Sequence, residues 1–240
     1  MHSQNQYDIK QFFNEGKDLL NQPIKWKSSD WLKLGLIASA SYGIMYFDKD
    51  ISEYSLENQS IIGSIPLTFA RTWGEPYAWG GISAFLFLHG SITGNSKNKA
   101  AAFEIVQAET YNILLTSFLK ISFGRSRPYK NEGAFSFSPP EFLSNDNWSF
   151  PSGHTSSAFA LSTVLAENSE SDAAKVLWYV PALMTAISRV YENKHWASDV
   201  FAGAFLGYFT AKFLSNLHRQ NENERLPSPP EQILYFSFVL

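Results

Sequence analysis

The sequence predicts an all-α, single-domain helical bundle of about six main helices. Three observations carry that prediction. Apolar stretches of helical length recur between Trp31 and Leu217, and turn-forming residues separate them. Strand-like alternation is confined to the last ten residues, Glu231 to Leu240. A hydrophobic fraction of 45% over 240 residues suffices for a core and rules out intrinsic disorder.

Each element follows from a local signal. Residues 8–20 read as an amphipathic helix, with Ile9, Phe12, Phe13, Leu19 and Leu20 near one face; Gln22-Pro23 ends it. Ser28-Ser29-Asp30 is a cap signal for an apolar helix over Trp31–Phe47. Asp48 to Ser60 is polar and reads as loop or short helix, and Leu67 to Trp73 as a short helix. Two long helices follow, Tyr77–Ile92 and Ala100–Phe123, separated by the turn-rich Thr93-Gly94-Asn95-Ser96. Pro128 to Phe150 is irregular. Helices resume at Gly153–Ala166, Ala174–Val190 and Trp196–Leu217. There is no internal repeat and no low-complexity tract.

Composition excludes several functions. A net charge of −3 rules out a nucleic-acid binder working by bulk positive charge. The absence of Cys excludes a disulfide framework, thiolate zinc sites and thiol catalysis. Membrane placement is less simple. Charged residues are only 17% and aromatics reach 16%, yet mean hydropathy is −0.17. The apolar stretches are short for a membrane span of about 20 residues, so a soluble or peripherally bound bundle is favoured over a polytopic one. Met1 to Asp30 carries charges throughout and has no apolar signal-peptide region, so the chain stays inside or begins after a removed signal.

Three clusters carry chemistry. In Lys120-Ile-Ser-Phe-Gly-Arg-Ser-Arg127-Pro128, Lys120 and Arg127 are seven apart and would share a helix face, with Arg125 a third cation nearby. Cations aimed one way suit an oxyanion, although a basic helix end can equally be a solvated one. Pro151-Ser152-Gly153-His154 opens a helix, whose free N–H groups and dipole favour an anion; Ser152 adds a hydroxyl and Gly153 allows close approach. His154 would sit beside that anion, placed to exchange a proton. In Ser188-Arg189-x5-His195-x3-Asp199, the His and Asp are four apart at a helix start, so the carboxylate can hydrogen-bond one ring nitrogen and leave the other as a nucleophile. Such a pair is also a common structural bond. The three together, in this order and spacing, are far more specific than any one.

In these motifs the chain resembles the type 2 phosphatidic acid phosphatase superfamily, which also holds bacterial acid phosphatases and vanadium haloperoxidases. The signature Lys-x6-Arg-Pro, Pro-Ser-Gly-His, Ser-Arg-x5-His-x3-Asp is intact at Lys120, Arg127-Pro128, Pro151–His154, Ser188-Arg189, His195 and Asp199. The resemblance covers about residues 75–217 as a catalytic helical core. Residues 1–74 are then N-terminal helices packing on or flanking it, and 218–240 a polar, Pro-rich tail with an apolar end. The resemblance implies a phosphatase cleaving phosphomonoester or pyrophosphate bonds through a phosphohistidine. His195 would attack phosphorus, Asp199 orient its ring, and His154 protonate the leaving oxygen and later activate water. Lys120, Arg127, Arg189, Ser152 and Gly153 would hold the phosphate oxygens. No metal or other cofactor is implied, and vanadate or phosphate are ions that fit the anion pocket. Replacing His195 by Ala is expected to abolish turnover at little cost in stability, on the view that this His is exposed.

The leaving group is written less plainly. Tyr129, Phe135, Phe137, Phe142, Trp148 and Phe150 give the segment between the first two motifs an aromatic-rich rim, which suits a lipid tail or aromatic ester but also ordinary packing. The helix at 8–20 suits a membrane surface or a cap on the bundle. The expectation is a lipid-phosphate or lipid-pyrophosphate phosphatase (phosphatidic acid, phosphatidylglycerol phosphate, polyprenyl pyrophosphate or lipid A type). It would act at a membrane surface in a bacterial periplasm or envelope, with an integral membrane protein as the alternative placement. The rival readings are a broad-specificity soluble acid phosphatase, a vanadium-dependent haloperoxidase and a non-catalytic lipid-anion binding protein.

Overall fold

The structure, a computed structural model, describes residues 5–142 and 144–223. Among them are eleven α-helices, three 3-10 turns and no strand, so the class is all-α as expected. The helices are α1 Ile9–Leu20, α2 Gln22–Lys25, α3 Ser28–Met45, α4 Asp48–Glu57, α5 Ile61–Ala70, α6 Pro76–Thr93, α7 Ser96–Phe123, α8 Gly153–Glu167, α9 Asp172–Leu177, α10 Tyr179–Tyr191 and α11 Ala197–Asn223. A 3-10 turn, Arg71–Gly74, joins α5 to α6.

The excess over six helices has local causes. Asp48 to Glu57 is helical because Asp48 and Asp50 complement the N-terminal dipole and Asp48 is drawn inward by a buried arginine. The stretch expected as Ala174–Val190 breaks at Trp178, whose indole N–H donates to the Ser169 hydroxyl. The expected turn at Thr93–Ser96 is present: Gly94 is left-handed and the Asn95 side chain caps α7 by accepting from the Asn98 N–H. The apolar segment 231–240 lies outside the described residues.

Helices α7, α8 and α11 form the centre, with α10 and the 3-10 turn against α8, and α3 against α11. Two glycines allow the tightest of these contacts. A Cβ at Gly203 would run into the Ser152 carbonyl, and one at Gly207 into the Ser156 carbonyl. The N-terminal turn of α8 is therefore held directly on the α11 backbone.

The interior is unusually polar. Ile105, Ala108, Leu161, Val164, Ala211 and Leu214 form an apolar cluster. Around it, however, buried polar side chains outnumber buried apolar ones among the described residues. Ser156 donates to Asn112 and Ser157 to Glu109 between α7 and α8. Helix α1 buries Gln11 and Glu15, which join Gln107, His218 and Asn221, while Ile9, Phe13 and Leu20 face outward. The face that α1 turns to the bundle is thus its polar one, and only Phe12 and Leu19 of the expected apolar face pack on the core. Elsewhere the outer flanks expose Leu32 and Leu36 on α3, Phe85 and Leu88 on α6, and Leu114 and Phe118 on α7. Among the described residues, no helix is long and apolar enough to cross a membrane.

Candidate active site

The three motifs meet where α7 and α10 end and α8 and α11 begin. Helix α7 stops at Phe123 because Gly124 takes the left-handed conformation, its N–H donating to the Lys120 carbonyl. Lys120 therefore lies in the last helical turn. Arg127 lies beyond it in extended backbone, φ −74° and ψ 155°. The two do not share a helix face, as their spacing suggested. The loop brings Arg127 back by a backbone bond, its N–H donating to the Asp146 carbonyl at 2.9 Å.

The C-terminus of α10 reverses in the same way. Asn193 is left-handed, and the N–H groups of Lys194 and His195 both donate to the Arg189 carbonyl. This fold-back sets His195 close to Arg189. Helix α11 then starts with Asp199 in its first turn, the Trp196 N–H donating to Asp199 Oδ2 at 2.9 Å.

His195 is buried, contrary to the expectation of an exposed ring. Its Nδ1 lies 2.9 Å from the Ser149 carbonyl and 3.6 Å from Asp199 Oδ2. The expected His–Asp hydrogen bond is thus replaced by a bond to a main-chain carbonyl, because Asp199 is occupied elsewhere. Asp199 accepts from Arg125 Nη1 at 2.5 Å, the Ser149 hydroxyl at 2.5 Å and the Trp196 N–H. A carbonyl can only accept, so Nδ1 carries the proton and Nε2 keeps a lone pair. Arg127 Nη1 stands 3.5 Å from Nε2. Burial holds the His195 pKa well below its ordinary value and Lys120 and Arg127 add to this; Asp199 opposes them. The ring is neutral at pH 7. Burial would raise the Asp199 pKa, but Arg125, His195 and Ser149 outweigh it and hold it down at about 2.

Arg125, a candidate anion ligand from its position in the motif, is not one. It is fully buried, ion-paired to Asp48 at 2.8 Å and to Asp199 at 2.5 Å, and bonded to Ser198 and the Ala134 carbonyl. The Phe137 and Trp196 rings each lie within 5.6 Å of its guanidinium carbon. Its donors are consumed by structure.

The remaining cations are different. Lys120 Nζ donates to the Trp148 carbonyl at 2.6 Å. Its pKa is lowered to about 7, first by burial and then by repulsion from Arg127, against the pull of Asp199. Arg127 reaches the carbonyl and side chain of Asn145 and the Lys194 carbonyl. Arg189 is buried with Nη1 on Glu192, and its Nε has no partner. Gly153, first residue of α8, sits so that a Cβ would lie 3.6 Å from Lys120 Cε. Ser152 is fully buried: its N–H goes to the Asp199 carbonyl, and its hydroxyl accepts from Thr155, leaving the hydroxyl proton as its donor. His154 is half-buried, with Nε2 3.0 Å from Glu75 Oε1. Its pKa is lowered by burial and by Arg189 and Lys120, while Glu75 raises it.

All eight candidates from the sequence therefore lie at one end of the bundle, where Lys120 acts on both imidazoles and Arg127 on Arg189. Sequence reasoning missed Ser149, Asp48 and Glu75. Glu75-Pro76 at a helix start and Asp48 at another are ordinary cap signals and carried no hint of a distant partner. The aromatic rim is divided. Phe142 is exposed, Phe137 covers Arg125, Phe150 packs on Phe123, and Phe135 packs on Tyr46. Among the described residues, no three His, Cys, Asp or Glu stand close enough to hold a metal ion.

The chain is similar to several known proteins. A 90-residue stretch is 42% identical to a lipid A 1-phosphatase of Porphyromonas gingivalis, covering 37% of this chain and 17% of that protein. A 138-residue stretch is 30% identical to "Probable lipid phosphate phosphatase beta" of Arabidopsis thaliana, covering 47% and 63%. The chain thus spans less than two thirds of either relative. Two solved structures share the fold. Aquifex aeolicus LpxE aligns with a TM-score of 0.51 at 22% identity, over 71% of this chain and 95% of that one. A transmembrane PAP2 type phosphatidylglycerolphosphate phosphatase from Bacillus subtilis aligns with 0.56 at 20% identity, over 83% and 96%. The profile of the PAP2 superfamily matches residues 101–223, more than half of the chain and every one of the three motifs, so this protein belongs to the PAP2 superfamily.

Proposed function

We propose that this chain is a metal-independent phosphatase of membrane lipid phosphates, acting through a phosphohistidine. The observation that carries the reading is a neutral, buried His195 whose Nε2 keeps its lone pair beside Arg127, at the same end of the bundle as Lys120, Arg189 and His154. Phosphoryl transfer needs positioning and dispersed positive charge above all. His195 Nε2 attacks phosphorus as the bond to the leaving oxygen breaks, and His154 gives that oxygen its proton. The N–P bond leaves a positive charge on the ring, which Asp199 balances at 3.6 Å. Water then gives a proton to His154 and attacks the phosphohistidine, freeing phosphate and neutral His195. Lys120, Arg127, Arg189, the Ser152 hydroxyl and the Gly153 N–H hold the non-bridging oxygens.

A lipid substrate at a membrane surface is supported by the relatives' names and by the outward apolar flanks of α1, α3, α6 and α7 around a polar interior. A substrate panel tests this. Phosphatidic acid, phosphatidylglycerol phosphate, polyprenyl pyrophosphate, lipid A and p-nitrophenyl phosphate are presented in one detergent, with and without EDTA or vanadate. A lipid phosphate is expected to be turned over fastest, with vanadate inhibiting and EDTA without effect. Faster turnover of the soluble ester overturns the lipid assignment, and loss of activity in EDTA overturns the metal-free one.

A further inference from the structure

The acid-base histidine has a partner that no motif supplies. Glu75 stands 79 residues before His154, outside the matched region, yet its Oε1 lies 3.0 Å from His154 Nε2. The junction that carries it is built for close approach. Gly74 packs so tightly that a Cβ there would run into the His154 carbonyl. The preceding Trp73 stacks on Trp178 and donates its indole N–H to Ser162 of α8 at 2.9 Å. Pro76 follows at the first turn of α6 and holds Glu75 in extended backbone, φ −91° and ψ 150°. The carboxylate is thus fixed to the same helix whose N-terminus bears His154.

The charges around the ring give this contact its meaning. Arg189 faces His154 from α10 and Lys120 from α7, and both disfavour an imidazolium. Glu75, from the junction before α6, is the carboxylate that faces it. A general acid must hold its proton until the leaving oxygen needs it. Between two cations and partly desolvated, an isolated imidazole would surrender that proton early.

We infer that Glu75 is a positioning residue of the reaction: it fixes the His154 ring through Nε2, opposes the charges of Arg189 and Lys120, and leaves Nδ1 to protonate the leaving oxygen. The proton passes from His154 Nδ1 to the alkoxide, and the ring returns to neutral while still bonded to the carboxylate. This rests on the role proposed above for His154, and the test separates the two.

The experiment compares kcat/KM for an alkyl phosphate, whose leaving alkoxide needs a proton, with that for p-nitrophenyl phosphate, whose phenolate leaves without one. Both are assayed in the same detergent with wild type, Glu75→Gln, Glu75→Asp and His154→Asn. Glu75→Gln is expected to lose about 100-fold on the alkyl ester and less than about 10-fold on the aryl ester. Its alkaline pH limb should move toward acid by about one unit, because the carboxylate no longer favours the charged ring. Glu75→Asp, with its charge kept, should recover about 10-fold of the alkyl loss and leave the limb near its wild-type position. Equal losses on both esters with an unmoved limb, or no loss at all, overturn the inference. If Glu75→Gln does not fold, Glu75→Asp decides against wild type: a larger loss on the alkyl than on the aryl ester supports the role, and equal losses refute it. If His154→Asn itself shows no preference between the esters, the acid assignment of His154 falls instead.

Discussion

The two histidine walls of the pocket are built on opposite principles. His195 is fully enclosed, bonded through Nδ1 to a main-chain carbonyl, and backed by the ion-paired set Asp199, Arg125 and Asp48. His154 is half-exposed, at a helix N-terminus, and bonded to one carboxylate from a neighbouring element. One environment removes the proton from the attacking nitrogen and locks the ring. The other sets one carboxylate against two cations around a half-exposed ring. The two environments thereby suit two identical side chains to the two roles proposed for them, nucleophile and acid.

The largest expected difference between the walls is catalytic. His195→Ala removes the proposed attacking atom and should lower kcat by about 10⁴-fold or more on every ester. His154→Asn should spare substrates with good leaving groups. Because His195 is buried and bonded, its loss also costs on the order of 1–2 kcal/mol of stability, more than an exposed ring would. Steady-state kinetics beside thermal melts check both halves. Near-normal turnover by His195→Ala with any ester would break the assignment.

The next effect falls on the scaffold behind His195. Arg125→Met would leave Asp48 and Asp199 buried without their shared cation, a loss of about 3–5 kcal/mol. The same change at Arg127, whose partners are two carbonyls and an amide, should cost far less stability and mainly substrate affinity. Denaturant melts of the two variants separate them. Similar midpoints would show that Arg125 is no more structural than Arg127.

These differences mark what a sequence can convey. Lys120, Ser152, Gly153, His154, Arg189, His195 and Asp199 were legible because spacing and order along the chain encode them, and the helices bearing them begin and end on local cap and breaker residues. The division of labour between Arg125 and Arg127 was not legible. Two residues apart in the same motif, they differ only in what the loop folds around them: Asp48 from α4 and Asp199 for one, Asn145 for the other. Asp48 and Glu75 were hidden for the same reason, since each meets its partner across more than 75 residues. The polar inner face of α1 was not legible either, because an amphipathic pattern suits a membrane surface and a cap on the bundle alike and does not say which side turns inward. In this bundle Gln11 and Glu15 find buried partners on α7 and α11, and the apolar side chains remain outside.

The smallest expected effect concerns the cation that touches both walls. Lys120 repels His195 and His154 alike, and its own pKa is lowered to about 7 by burial, then by Arg127. A lysine with a lowered pKa loses its charge as pH rises, so the anion pocket weakens above about 7. Tungstate at micromolar concentration is a suitable probe, because it then remains a monomeric tetrahedral dianion from pH 6 upward and does not titrate with the protein. If Lys120 must be charged to hold it, the inhibition constant should rise about 10-fold between pH 6 and pH 8, the change that one proton with a pKa near 7 allows. Lys120→Met should bind tungstate weakly at pH 6 and show little further change up to pH 8. A wild-type inhibition constant that stays flat over this range would mean that Lys120 keeps its proton, and that Asp199, reaching it across the pocket, outweighs its burial.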